Sequence, residues 1–100
     1  KEQILSDIQQ VIEKLKAINN NIQLYFLEIT PVALRIDRNN AVIRELNVFL
    51  KENLKSARWI ALDSIFSDHY GKLNLDYTND GLHLNEQGYQ LLEEIIKSEL

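Results

Sequence analysis

The stretch IQLYFLEI, Ile22 to Ile29, decides the fold class. Ile22, Leu24 and Phe26 alternate with Tyr25, Leu27 and Ile29, so an extended segment here is apolar on both faces. A strand of that kind belongs in a parallel sheet with helices covering both sides. Thr30-Pro31 ends it, because proline has no backbone N–H for a ladder.

The flanking patterns are helical. Upstream, Ile4, Leu5, Ile8, Val11, Ile12, Leu15 and Ile18 recur at spacings of one, three and four and predict an amphipathic helix over residues 3–18. The run Asn19-Asn20-Asn21 closes it, since asparagine tolerates the left-handed cap. Downstream, residues 37–55 form a second helix with Val42, Ile43, Leu46, Phe49, Leu50 and Leu54 buried, and Arg38, Arg44, Glu45, Lys51 and Glu52 towards solvent. ARWIAL, residues 57–62, reads as a second strand, and SIFSD after Asp63 as a short turn. A last helix over about residues 86–97 has Asn85 as N-cap and an apolar face of Tyr89, Leu92, Ile95 and Ile96.

The order helix, strand, helix, strand, loop, helix defines an α/β chain with parallel strands, a right-handed crossover and three layers. Two strands are too few to bury three helices and a strand apolar on both faces, and they leave an open apolar edge. Further strands are therefore expected before residue 1. A small self-contained domain, or one completed by self-association through the open edge, remains the alternative. The 100 residues are 45% hydrophobic with a formal net charge of -4. The basic residues are scattered and form no stripe, so nucleic acid is not an expected partner. The longest apolar run, which carries Glu28, is too short to span a bilayer. Without cysteine, disulfides, thiolate catalysis and cysteine-bound metals are excluded.

The segment from His69 to Asn85 lacks periodicity and leaves the C-terminal end of the second strand, the edge where open parallel sheets bind ligands. It contains Asp80-Gly81-Leu82-His83. An imidazole titrates at about 6.5 and serves as a base near neutral pH when a carboxylate fixes its tautomer. A turn containing Gly81 brings Asp80 and His83 to one side. Spacing alone equally allows a surface histidine beside a turn-forming Asp-Gly. His69, in SDHYGK, reads as part of a solvated turn.

YTNDGLHLNEQGYQLL, residues 77–92, resembles the C-terminal block of the SGNH hydrolases, also called GDSL-type esterases and lipases. In that family an Asp-x-x-His carries the catalytic acid and base, and Asp80 and His83 match those positions. Leu82, Leu84, Gly88 and Tyr89 match the surrounding pattern. IQLYFLEITPV, NNAVIRELNVFLKE, ARWIALD and GKLNLDYTNDGLHLN follow in the family's order. The resemblance implies a flavodoxin-like α/β/α fold and a Ser-His-Asp triad that needs no metal or organic cofactor. The substrate class it implies is a small acyl ester or an acetylated carbohydrate. The family's Gly-Asp-Ser, oxyanion-hole Gly and Gly-x-Asn-Asp blocks do not occur here. None of Ser6, Ser56, Ser64, Ser67 and Ser98 follows a Gly-Asp. The chain is thus expected to be the C-terminal half of such a hydrolase, inactive alone, with the nucleophile in the missing N-terminal half.

Thr30, Pro31, Val32 and Leu34 should share the rim of His83 and shape a substrate pocket, with Tyr77 and Asn79 contributing from the loop. Asp63 is expected to cap the turn that begins at Ser64, and Glu28 to reach the rim or pair with Arg35 or Arg58. Trp59 is expected in the core, and Asn47 to satisfy a backbone group. A non-catalytic α/β binding module is the rival to the hydrolase.

Overall fold

The computed structural model describes residues 1–35 and 38–100. Along the chain run α1 (Glu2–Ile18), β1 (Tyr25–Leu27), α2 (Asn40–Asn53), β2 (Arg58–Ile60), the one-turn helix α3 (Asp63–Phe66), a 3-10 turn (Leu75–Tyr77) and α4 (Glu86–Glu99). β1 and β2 are parallel, with Tyr25 beside Arg58, Phe26 beside Trp59 and Leu27 beside Ile60. The order and the parallel pairing are those the apolar alternation implies.

Side chains in register share a face of the sheet. On one face Phe26 stacks on Trp59, with ring centroids 5.0 Å apart, and Phe26 looks across a hollow to Ile8, Ile12 and Leu15 of α1. On the other, Ile60 joins Ala33, Leu62, Phe66 and Leu73 in the buried core, against which Tyr25, Tyr77, Leu84, Leu91, Leu92 and Ile95 pack. Arg58, on the same face as Ile60, reaches Glu99 near the end of α4 at 3.0 Å.

Both strands are shorter than their apolar runs. Ladder bonds extend one step beyond the strand ends, from Arg58 N–H to the Leu24 carbonyl (2.8 Å) and from Glu28 N–H to the Ile60 carbonyl (3.0 Å). The next rung would run from Leu62 N–H to the Glu28 carbonyl, but Leu62 N–H goes to Glu28 Oε1 instead, and Asn47 takes up the following residue, Ile29. Its Oδ1 accepts from Ile29 N–H at 3.0 Å, and its Nδ2 donates to the Ile29 carbonyl at 2.8 Å. Asn47 is 4% exposed, so this buried amide serves a backbone group as expected.

Helix boundaries follow their caps. α2 starts at Asn40 rather than 37, because the Asn39 side chain accepts from Ala41 and Val42 N–H. Arg38 precedes the helix, and Asp37 lies outside the described residues. α4 begins as expected, with Asn85 Oδ1 accepting from Gly88 N–H at 2.9 Å. α1 ends at Asn19 in an extended conformation (φ -152, ψ 105), not the expected left-handed one; Asn19 Oδ1 instead turns the chain by accepting from Asn21 N–H.

Several side chains expected in the core are exposed. The buried line of α2 runs through Asn47 and Leu50, and Val42, roughly a quarter turn away, is 57% exposed. In α4 the line runs through Gly88, Leu92 and Ile95; Tyr89 is turned off it and exposed, and Leu91 packs inward instead. α1 buries no residue, and Ile4, Val11 and Ile18 of its stripe are exposed. No helix among the described residues is long and apolar enough to cross a membrane.

Asp63 does not cap the turn that follows it. Its carboxylate takes two hydrogen bonds from Arg44, at 2.7 and 3.1 Å, and a third from Ser67 Oγ at 2.6 Å. Arg44 also donates to the Gly71 carbonyl, so it binds α2 to α3 and to the loop instead of facing solvent. The open N–H groups at the start of α3 go to Glu28, whose Oε1 accepts from Leu62 and Asp63 N–H at 3.0 and 2.7 Å. Trp59 Nε1 donates to the other Glu28 oxygen at 3.2 Å. Glu28 thus caps a helix start, and Arg58, one of its two expected partners, pairs with Glu99.

Candidate active site

The loop after α3 is tied down by backbone pairing. Isolated antiparallel bridges join Ser67 to Leu73 and Thr78 to Leu84. Leu73 is fully buried, and the Tyr77 ring meets Phe66 edge-on at 5.5 Å. Between Thr78 and Leu84 the chain makes the tight turn that carries Asp80 and His83.

Asp80 Oδ1 accepts from the backbone N–H groups of Leu82 and His83, each at 2.8 Å. This Asx-turn arrangement is why Asp-Gly suits the position. Gly81 has φ +83, a left-handed conformation that side chains disfavour. A Cβ there would lie 1.8 Å from the Ala33 carbonyl oxygen, and the Gly81 carbonyl accepts from Ala33 N–H at 2.8 Å. The turn is therefore clamped to the segment that leaves β1.

The second carboxylate oxygen of Asp80 lies 2.7 Å from His83 Nδ1. The His83 hydrogen bond, followed by the two backbone N–H donors, holds the Asp80 carboxyl well below the ordinary carboxylate range. An ionised carboxylate can only accept, so in the neutral ring Nδ1 carries the proton and Nε2 the lone pair. The ring is 74% exposed and the Asp80 side chain 48%, so Nε2 is open to an incoming group. Such a pair can withdraw a proton at Nε2 and return it.

The structure brings three of the six expected pocket residues to hollows beside this turn. Thr30 and Val32 line one of about 280 Å³ together with Leu82. Val32 and Leu34 line a second, of about 620 Å³. Among the described residues its walls include Arg35, Arg38, Lys72 and Asp68. Pro31 is fully buried and lines neither. Tyr77 packs on Phe66, and Asn79 sits 3.5 Å from the Asn85 amide, so both are turned to the loop's own framework. His69 stands apart, edge-on to exposed Tyr70. Among the described residues no three His, Asp or Glu side chains converge as metal ligands.

Sequence reasoning missed Thr78. It is 3% exposed, and its hydroxyl donates to the His83 carbonyl at 2.6 Å and accepts from Gly81 N–H at 2.9 Å. A threonine ahead of Asn-Asp-Gly is a hydroxyl turn-former in a turn-rich stretch, a signal that was available. No serine hydroxyl among the described residues hydrogen-bonds the His83 ring. Ser67 Oγ is committed to Asp63 and Ser98 Oγ to the Ile95 carbonyl.

The sequence profile of the GDSL-like lipase/acylhydrolase family matches residues 1–91. An N-acylneuraminate cytidylyltransferase of Escherichia coli O18:K1:H7 is 43% identical over 97% of this chain, which covers 24% of that protein. A protein of the same name from Streptococcus agalactiae serotype III is 32% identical over 92% of the chain, covering 22% of its own length. A solved structure from Streptococcus pneumonia, provisionally named as a platelet activating factor, superposes on 98% of the chain with a TM-score of 0.90 and 25% identity. The chain covers 50% of that structure and about a quarter of these two cytidylyltransferases.

Proposed function

The chain belongs to the GDSL-like lipase/acylhydrolase family, and we propose that Asp80 and His83 are the acid–base pair of a carboxylic ester hydrolase. The observation that carries this reading is the 2.7 Å contact between Asp80 and His83 Nδ1, with Nε2 left facing outward. In the proposed reaction, Nε2 takes the proton of a serine hydroxyl as its oxygen attacks the ester carbonyl. The tetrahedral intermediate collapses, and the imidazolium returns the proton to the departing alcohol. A water then attacks the acyl-serine, His83 taking and returning its proton in the same way, which releases the acid. Asp80 holds the ring and balances the imidazolium charge, and stays ionised throughout.

The serine is proposed to lie outside these 100 residues. No Gly-Asp-Ser occurs in them, and α1 has an exposed apolar stripe that further sheet would cover. Chain preceding residue 1 would supply the nucleophile, the oxyanion donors and the added strands.

The proposed substrate is a small acyl ester, in particular an O-acetylated acidic sugar. One observation favours it: the names of the cytidylyltransferase relatives specify an N-acylneuraminate, a carboxylated sugar.

The test is hydrolysis of a small aryl acetate and of an O-acetylated N-acylneuraminate by the full-length protein. His83→Ala should lower kcat by about 10³-fold or more. Turnover by His83→Ala close to that of the unaltered protein would sink the assignment. The 100-residue chain alone should show no turnover.

A further inference from the structure

We propose that Thr78 is a positioning residue for the acid–base pair, acting through the backbone that carries it; the proposal rests on the hydrolase reading above. His83 and Asp80 are both substantially exposed, so packing does not orient them. Their mutual geometry depends on the backbone between residues 78 and 84. Gly81 is fixed from outside by Ala33, but the two residues after it, including His83, need a tie of their own.

One such tie, beside the bonds from Leu82 and His83 N–H to Asp80 Oδ1, is the Thr78 hydroxyl. Thr78 Oγ1 has a single proton, which goes to the His83 carbonyl at 2.6 Å, since a carbonyl can only accept. Its lone pairs receive Gly81 N–H at 2.9 Å. Asp80 Oδ1 lies 3.3 Å from the same oxygen. One buried atom therefore joins the start of the turn to its glycine and to the backbone of the base. Asp80 is free to spend Oδ1 on Leu82 and His83 N–H and Oδ2 on the ring.

Thr78 touches neither ring nitrogen, so its effect must pass through the orientation of His83. Valine has the same shape without the hydroxyl, and it leaves Gly81 N–H and the His83 carbonyl unpaired. The turn should relax, and Nδ1 should no longer meet Asp80 in one fixed arrangement. A free neutral imidazole favours the Nε2–H tautomer, whereas the Asp80 contact imposes Nδ1–H.

The experiment uses the full-length protein with ¹⁵N-labelled histidine. The ring-nitrogen shifts of His83 at pH 9 report its tautomer, with His69 as internal control. The unaltered protein should show Nδ1–H at His83, and Thr78→Val a mixture shifted to Nε2–H. On aryl acetate, Thr78→Val should lose about 10-fold in kcat with KM within about 2-fold, as expected for a base misplaced by a fraction of an ångström. Thr78→Ser keeps the hydroxyl and should restore both readings. An unchanged tautomer and kcat in Thr78→Val would overturn the proposal, as would a lost Nδ1–H tautomer in Thr78→Ser. If Thr78→Val does not fold, the serine variant still decides by that second criterion. Absence of ester turnover in the unaltered protein, with the tautomer shift present in Thr78→Val, would refute the hydrolase reading and leave the positioning role standing.

Discussion

Replacing Gly81 by alanine puts a methyl carbon 1.8 Å from the Ala33 carbonyl oxygen and 2.6 Å from its carbon. Both obstacles are backbone, so no side-chain rotation relieves them. Restoring an ordinary contact requires Gly81 and Ala33 to separate by roughly 1.4 Å, which stretches the 2.8 Å bond from Ala33 N–H well past hydrogen-bond length. The cost has two parts. Holding alanine at φ +83 costs about 1–2 kcal/mol, and the lost hydrogen bond about 1 kcal/mol more. Gly81→Ala should therefore destabilise this region by about 2–3 kcal/mol. Because the displaced segment carries Asp80 and His83, kcat should also fall by about 10²-fold. Urea unfolding of the full-length protein measures the first effect, and amide exchange at Ala33 localises it. A midpoint unchanged from the unaltered protein, with Ala33 still protected, would refute the clamp between the turn and the segment leaving β1.

Two further substitutions probe the frame beneath the turn. Asn47→Leu removes the partner of the Ile29 N–H and carbonyl in a part-buried site and should cost about 1–2 kcal/mol, read from denaturant melts; a cost below about 0.5 kcal/mol would contradict the role of Asn47 in holding the segment that leaves β1. Asp63→Asn should cost about 1 kcal/mol near neutral pH, a modest figure because the Arg44 partner is partly exposed. Arg44 and then Ser67 hold the Asp63 carboxyl below its ordinary value, against the opposing effect of burial. A depressed folded pKa gives stability that is present above the unfolded value of about 3.9 and lost as pH falls through the folded one. The difference between Asp63→Asn and the unaltered protein should thus shrink below about pH 4 in melts across pH. A constant difference down to pH 2 would show that the pair does not act through charge.

The legible parts of the chain were those where one short stretch contains its own physics. Asp80, Gly81 and His83 lie within one turn, so their proximity is local and their meeting was readable, as was the Asn85 cap. Apolar alternation in IQLYFLEI marked a strand, but the Asn47 amide that takes up Ile29 at its end comes from a helix 18 residues away. Arg44 and Asp63 were misplaced for the same reason. Arg44 looked like a surface residue and Asp63 like a capping one, and each found its partner across the fold.

The sequence by itself determined the order of the elements, the parallel α/β class and the turn that brings Asp80 beside His83. Hydrophobic period, turn chemistry and motif spacing act over a few residues, and that range is enough for them. Only the tertiary structure decided which apolar residues are covered, which carboxylate caps and which pairs, and that Thr78 holds the turn from inside and Ala33 from outside. Those outcomes depend on what lies opposite a side chain after folding, and a residue's neighbours in the chain do not state it.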